Sequence, residues 1–487
     1  MTRATQTSGL RSISAVAGLR RRGLPFPKAL GQSIAAAAPS AGMASVPIIV
    51  LAQSGANPMV SCAAATVLVL LIAYCLGQFA KRMAATGGVY SYAARSLGGT
   101  AGLITGWFVV LGYASICIAS LFGIVRFVEE AMTGLGVSVG WGAVGAVLLV
   151  VAVATGAAAL IMREIKFSAG VLLVVEVISI AVISALVLLV ALRTPPENFT
   201  SALTLGAVDP ASLTYGTVLA AAAFVGFESS TTLGAEVRST FRTIPRTLVW
   251  TPIVVGFLLV SSSLSSGLYL ASNSSATSPA LLDAIAVVGP TGLSVALHLG
   301  VALSFFGCVL ASGTALTRVL FTLGREGILP VALGHARSSS GVPATAVVTA
   351  MSVITATTVV AMTAGLSPNT GLTVFLTIAT LGYLCSYLAI AVATPLFLRR
   401  IGEVTWPPAA AAVITAVALG YLLVQTLWTE SSGGSFSAVL GFLFLAGFGI
   451  VAAGCLRVFA PTRLSGAGLY DEVTLADLMP GTTGMRG

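Results

Sequence analysis

Runs of about 20 apolar residues follow one another along almost the whole chain, and each can cross a bilayer core of roughly 30 Å at about 1.5 Å per residue. Backbone in lipid must satisfy its own hydrogen bonds, so such runs fold as transmembrane helices. A soluble multidomain reading of the 487 residues is thereby excluded. The chain is expected to be an all-α polytopic membrane protein with twelve transmembrane helices, at 31–53, 57–80, 99–125, 139–161, 168–192, 213–234, 248–271, 291–317, 343–364, 371–397, 407–428 and 435–456. Residues 1–28 form a basic tail and 459–487 a second tail, neither large enough for a domain. The basic stretch before residue 28 mimics a signal peptide, but the apolar run continues to Gln53, so an uncleaved first span is expected.

The chain is 57% apolar and only 8% charged, yet 24 Lys and Arg exceed 15 Asp and Glu. In a soluble protein that excess would point to nucleic acid. Here, with the N-terminus inside, only Arg126 and Arg193 fall outside, and the other 22 basic residues fall inside or at inner span ends. That asymmetry is the positive-inside pattern. It predicts a multi-pass protein of the cell membrane with both termini cytoplasmic, in contact with lipid and not with nucleic acid. The six cysteines lie within the spans without the spacing of a zinc site, and His298 and His335 make no ligand cluster. No metal or cofactor is expected.

Two spans are interrupted. Span 1 contains "AAAAPSAGM", where Pro39 removes a backbone donor and Gly42 loosens the same place. Span 6 contains "AAAFVGFESS", with Gly226 beside Glu228, the only acid of that span. Unwinding in a membrane is tolerated only around a buried cavity. The breaks lie five spans apart, and an odd offset makes the two spans run in opposite directions. That is the pattern of an inverted repeat of five spans plus five with a midplane site between broken helices. Helices that merely kink at Pro or Gly are the alternative. The loop 272–290 can hold a short interfacial helix at "SPALLDAIAVVG" or be a plain connector.

Four stretches, in order, resemble the amino acid–polyamine–organocation (APC) superfamily of permeases. "GGVYSYAARSLGGTAGLITGW", 87–107, is similar to the start of that family's span 3. "AFVGFESSTTLGAEVRSTFRTIPRTL", 223–248, looks like its span 6 signature. "LTRVLFTLGREGILP", 316–330, resembles its span 8 ending, and "GVPATAVV", 341–348, its entry to span 9. The resemblance implies a LeuT-type 5+5 inverted repeat plus two extra helices: repeats at 29–192 and 193–397, and helices 11 and 12 at 398–458. It also implies secondary transport of amino acids or related amines. The chain departs from the family in Ala235 before Glu236, in Thr240 where proline is usual, in the alanines 220–223, and in "AAPSAG" within span 1.

The residues suit such a substrate. A carboxylate fits the N-terminus of a half-helix, whose N–H groups and dipole favour negative charge. In span 1 those groups belong to Ser40, Ala41, Gly42 and Met43, with Pro39 suited to the first turn. An ammonium fits carbonyls freed by unwinding near Ala36 and Ala37 in span 1 and near Ala223, Phe224 and Val225 in span 6, with Gly226 where a ligand must approach the backbone and Phe224 and Phe227 closing over the side chain. Glu228 and Glu176 are the acids placed well inside spans. Such acids cost about 2.5–3.5 kcal/mol on insertion scales and are functional candidates by default, here for proton coupling. Structural carboxyl groups bonded to neighbouring hydroxyls are the alternative. Sodium coupling would need an oxygen cage, to which Ser312 and Thr314 can contribute.

Rival classes fit less well. A membrane enzyme would need a nucleophile, a metal cluster or a His–acid pair, and the sequence shows no such constellation. A channel would carry a polar stripe along several spans. A facilitator of two six-span halves would carry a basic loop that "GQFAKRMAATGG" does not match. Polyamine transport within the same fold stays open, since both acids attract cations.

Overall fold

A computed structural model describes residues 19, 23–136, 142–163, 165–193, 199–272, 291–337, 341–432 and 436–468. Arg20 to Arg22, the expected helix within 272–290, and Asp471, Glu472 and Asp477 of the second tail lie outside the described residues. The described residues are almost wholly helical and contain no strand, only two isolated β-bridges. Twelve helices are long and apolar enough to cross a membrane: Phe26–Ser54, Pro58–Ala80, Gly99–Gly134, Val144–Ile161, Phe167–Leu189, Pro210–Leu233, Thr240–Leu270, Gly292–Arg325, Ala344–Thr363, Pro368–Arg400, Trp406–Thr429 and Phe436–Phe459. They are spans 1 to 12 below, and the chain is a multi-pass membrane protein.

Spans 3, 8 and 10 run beyond the ends that hydropathy gives, because their polar ends are paired. Span 3 continues past residue 125 to Gly134. There Arg126 meets Glu130 one turn on at 2.9 Å and the Asn369 side chain of span 10 at 2.7 Å. Local chemistry sets several starts. Asn57, Asp209 and Ser367 each cap a span from its N-terminal flank, and each is followed by a proline at the first helical position. Asp209 is exposed, and the Ser212 hydroxyl and amide hold its carboxyl below the ordinary value.

Spans 1 and 6 are tied to each other at both ends. Before span 1, Leu24 N–H donates to the Glu236 carbonyl (3.0 Å), and Arg238 N–H donates to the Leu24 carbonyl (3.1 Å). Before span 6, Ala207 N–H donates to the Gly55 carbonyl (2.7 Å), and Asn57 N–H donates to the Ala207 carbonyl (2.9 Å). Each span's lead thus pairs with the other's exit through the same two bonds. Exchange of roles between antiparallel spans is what a LeuT-type 5+5 inverted repeat requires. Around this pair, span 3 packs on spans 8 and 10, and span 2 packs on span 7. Spans 4, 11 and 12 present apolar side chains outward, among them Leu148, Val424 and Phe444.

Candidate functional site between the broken spans

Span 1 consists of two half-helices, α1 (Phe26–Ala36) and α2 (Pro39–Ser54). The break falls on Ala37 and Ala38, not on Gly42. Among the described residues, Ala38 is the one non-glycine residue with left-handed backbone, at φ 46° and ψ 58°. Gly42 is an ordinary member of α2, and its N–H reaches the Ala38 carbonyl at 3.1 Å. The expectation that Gly42 loosens the chain is therefore corrected. Pro39, at the first helical position of α2, lacks a donor and forces the unwinding just before itself. A left-handed alanine costs about 1–2 kcal/mol. Ala38→Gly is expected to raise thermal stability by up to about 1 kcal/mol, less than the full strain because glycine is freer when unfolded. Melting in detergent measures this, and an unchanged or lower midpoint would argue against strain there.

Span 6 is α-helical from Pro210 to Ala221, then tightens into a 3₁₀ turn over Ala222–Phe224. Gly226 follows at φ 88°, a second 3₁₀ turn covers Ser229–Leu233, and span 7 opens at Thr240. A Cβ on Gly226 would lie 3.2 Å from the Ala36 carbonyl oxygen and strain the backbone besides. Only glycine lets span 6 rest on the span 1 break.

The two breaks meet. Gly42 faces Ala223 at 3.5 Å from its Cβ position, and Gly226 faces Ala36. Ser230 N–H donates to Ser33 Oγ and Ser229 Oγ to the Gln32 carbonyl, both at 3.2 Å. Ala37, Ser40, Ala41 and Met43 are buried with them, and Ser262 Oγ donates to the Met43 carbonyl. Ser40 Oγ stands 2.8 Å from Ser179 Oγ of span 5. Cys308 Sγ of span 8 donates to the Ala36 carbonyl at 3.1 Å, which gives one of the six cysteines a place at the site. Phe224 and Val225 line a cavity of about 20 Å³, closed also by Tyr383 and Tyr387. That is about one water's volume. Phe227 packs on Tyr387, with ring centres 5.5 Å apart.

Glu228 is fully buried, and both its oxygens are occupied. Tyr113 Oη of span 3 donates to Oε1 at 2.8 Å, and Tyr387 Oη of span 10 donates to Oε2. Tyr383 meets the Tyr113 ring edge-on at 5.5 Å. One carboxylate thus joins spans 3, 6 and 10. Glu176 is elsewhere, between spans 5 and 8, where Ser304 Oγ donates to Oε1 at 3.4 Å and Oε2 has no partner. The two acids share no hydrogen-bonding partner in this arrangement.

A third buried acid lies toward the end of the molecule that carries Arg82, Arg242 and Arg400. Glu236 takes both oxygens to Arg318 Nη2 at 3.1 Å, and Arg318 Nη1 reaches the Thr314 carbonyl at 3.1 Å. Gly23 N–H donates to the Glu236 carbonyl at 2.7 Å. Leu19, Ala84, Ala235 and Phe321 close an apolar plug beside them. Sequence reasoning missed Arg318 because it ended span 8 at residue 317, one position short. It also missed Tyr113, Tyr383 and Tyr387. For Tyr113 and Tyr387 the signal was there, since a mid-span tyrosine hydroxyl usually finds a partner and the lone acid of span 6 was the one to match, whereas Tyr383 Oη has none and meets the group through its ring. Ser312 lies 3.8 Å from Cys308 Sγ. Among the described residues, no three His, Cys, Asp or Glu side chains stand close enough to hold a metal ion.

A family model described as amino acid permease matches residues 29–429. An uncharacterized transporter of Mycobacterium tuberculosis is 28% identical over 295 residues, covering 57% of this chain and 61% of the relative. The low-affinity putrescine importer of Escherichia coli is 23% identical over 295 residues, covering 58% of this chain and 63% of the importer. The branched-chain amino acid permease of Bacillus subtilis is 22% identical over 310 residues, covering 60% of this chain and 65% of the permease. The chain thus spans less than two thirds of the length of each of these relatives. A match that runs from the first half-helix of span 1 to the end of span 11, over both breaks and the acids beside them, makes this chain a member of the amino acid permease family.

Proposed function

We propose that this chain is a secondary active transporter that moves amino acids across the plasma membrane by alternating access, coupled to protons. The observation that carries this reading is the contact of two broken, antiparallel spans at their unwound residues. The first turn of α2 aims the N–H groups of Ser40 and Ala41 at a substrate carboxylate. The Ala36 carbonyl, now engaged by the Cys308 thiol at 3.1 Å, faces the same break and suits an ammonium. Ala37, Gly42, Met43, Ala223 and Gly226 form the walls, and Phe224, Val225 and Phe227 cover the side chain. Glu228 and Glu176 are the titratable groups, one beside each half of the site.

The basic end is cytoplasmic in this reading, both termini lie there, and the outward apolar faces of spans 4, 11 and 12 meet lipid. The repeats divide at 29–192 and 193–397, with 398–458 appended. Transport of polyamines or other organic amines is the second reading. It is favoured by the buried acids and by the putrescine importer among the relatives. Either reading describes a transporter and not an enzyme.

Purified protein in proteoliposomes, preloaded with one substrate and offered labelled amino acids and amines in turn, tests both. Counterflow of an amino acid, with putrescine inert, supports the first reading, and the reverse supports the second. No counterflow of any amino acid or amine would sink the proposal. Externally applied maleimide should label a cysteine placed at Arg193 and not one at Arg400. The opposite pattern would invert the topology.

A further inference from the structure

Resting on the transport reading, we propose that the first residues of the second tail, 461–468, form a strap that must leave Glu326 before the basic end of the molecule opens, and that Glu326 is the positioning residue this strap holds. Beyond span 12 the chain turns at Ala460 and forms a short helix, Pro461–Ser465. A loose tail would leave its apolar side chains in water, yet Leu464 and Ala467 are each only 7% exposed. They lie in the elbow between the helix Val89–Leu97 and the start of span 3. A Cβ on Gly99 would lie 2.1 Å from the Leu464 carbonyl oxygen, and one on Gly468 would lie 2.7 Å from Ala94 Cβ. Gly468 also has left-handed backbone, at φ 76°. Glycine on both sides of the contact lets the strap lie this close.

The strap ends on a buried acid. Glu326, just past span 8, is 6% exposed. Gly468 N–H donates to its Oε1 at 2.9 Å, and Tyr90 Oη donates to its Oε2. A carboxylate out of water is stable only with donors of this kind. Tyr90 comes from the connector between spans 2 and 3, whereas the other donor is main chain that only the strap supplies.

The connector reaches the broken span. A Cβ on its Gly88, which has φ 55°, would lie 2.6 Å from Thr231 Oγ1 in the second 3₁₀ turn of span 6. Thr86 Oγ1 stands 3.3 Å from Thr322 Oγ1 of span 8, and Arg400 of span 10 donates to the Arg95 carbonyl at 2.9 Å. The connector thus joins spans 6, 8 and 10 at the basic end. The strap bridges two of these parts, since Gly468 is bonded to Glu326 after span 8 and pressed on Ala94 of the connector. Span 8 and the connector cannot part until one of those contacts is released. Once the strap lifts, water reaches Glu326 and replaces the Gly468 N–H, so the catch can be undone and remade.

The test uses the full-length protein. In the double variant Ala94→Cys, Gly468→Cys the two Cβ atoms start 2.7 Å apart, and a shift of about 1 Å brings them into disulfide range. Oxidation in proteoliposomes should abolish counterflow of an accepted substrate, and a reductant should restore it, with both single variants indifferent to either treatment. Gly468→Pro removes the donor and cannot hold φ 76°, so it should free the strap. Maleimide applied to the basic face of inside-out vesicles should then label Cys308 about 2- to 10-fold faster, the factor carried by one hydrogen bond, with Cys308→Ser as the control. Full counterflow in the cross-linked protein would overturn the proposal, because a merely structural contact has no need to move. Should the double variant fail to fold or to cross-link, Cys308 labelling at the wild-type rate in Gly468→Pro would overturn it equally. Absence of wild-type counterflow would instead remove the reading on which the proposal rests.

Discussion

Arg318→Met is expected to cost about 3–5 kcal/mol of stability, the usual penalty for stripping the partner from a buried charge. Glu236 would keep a carboxylate that is 1% exposed and face no cation. The pair does more than fill space. Arg318 belongs to span 8, while Glu236 lies past span 6 and its carbonyl anchors the lead into span 1. Opening the basic end must separate the two, so the pair should favour the closed arrangement. The double variant Arg318→Met, Glu236→Met removes both charges, and matched apolar replacement of a buried pair is often neutral or stabilising. It should therefore recover most of the melting temperature and yet open more readily. Cys308, fully buried at the Ala36 carbonyl, reports this directly. A membrane-impermeant maleimide applied to the basic face of inside-out vesicles should label it faster in the double variant, with Cys308→Ser as the control. Labelling at the wild-type rate, with normal counterflow, would reduce the pair to a structural tie.

The fold was legible because the bilayer narrows the choices. Twelve apolar runs, the basic asymmetry and the breaks at Pro39 and Gly226 lead to the helix count, and the resemblance at 87–107 and 223–248 leads to the architecture. Span ends were less legible. Hydropathy stops at the first charge, whereas Arg126 is neutralised by Glu130 and Arg318 by Glu236, so their helices continue. The exchange-symmetric bridges at Leu24 and Ala207 leave no sequence pattern, since backbone groups make them and any non-proline residue would serve.

Within the candidate site, local chemistry was readable and long-range pairing was not. That Pro39 opens a half-helix and Gly226 takes left-handed backbone follows from covalent geometry. Gly42 misled because glycine's freedom permits unwinding without requiring it. The break moved to Ala38 because Pro39 fixes where the downstream helix begins. The partners of Glu228 come from spans 3 and 10, at sequence separations of 115 and 159, which no local spacing reveals. Glu176 was found from its position alone. What distinguishes it from Glu228 is the count of donors around each, a property of the packed bundle.

That difference makes the two acids separable. Glu228→Gln is expected to slow every mode of transport, counterflow included, by about 10- to 150-fold. The carboxylate accepts from Tyr113 and Tyr387 at once, whereas an amide offers one oxygen and a donor. One hydrogen bond to a charged group is worth about 1.5–3 kcal/mol, and its loss from the arrangement the cycle must pass through gives that range of rates. Tyr113→Phe and Tyr387→Phe should each fall within it. The three changes should combine less than additively, because they dismantle one joint between spans 3, 6 and 10. Counterflow measured across the pH range tells the acids apart. Glu228→Gln should scale the profile down, and Glu176→Gln should flatten it. If Glu228→Gln instead kept full counterflow and lost only the pH-driven component, Glu228 would be the proton carrier, and Glu176 would be left as a buried acid with a structural role.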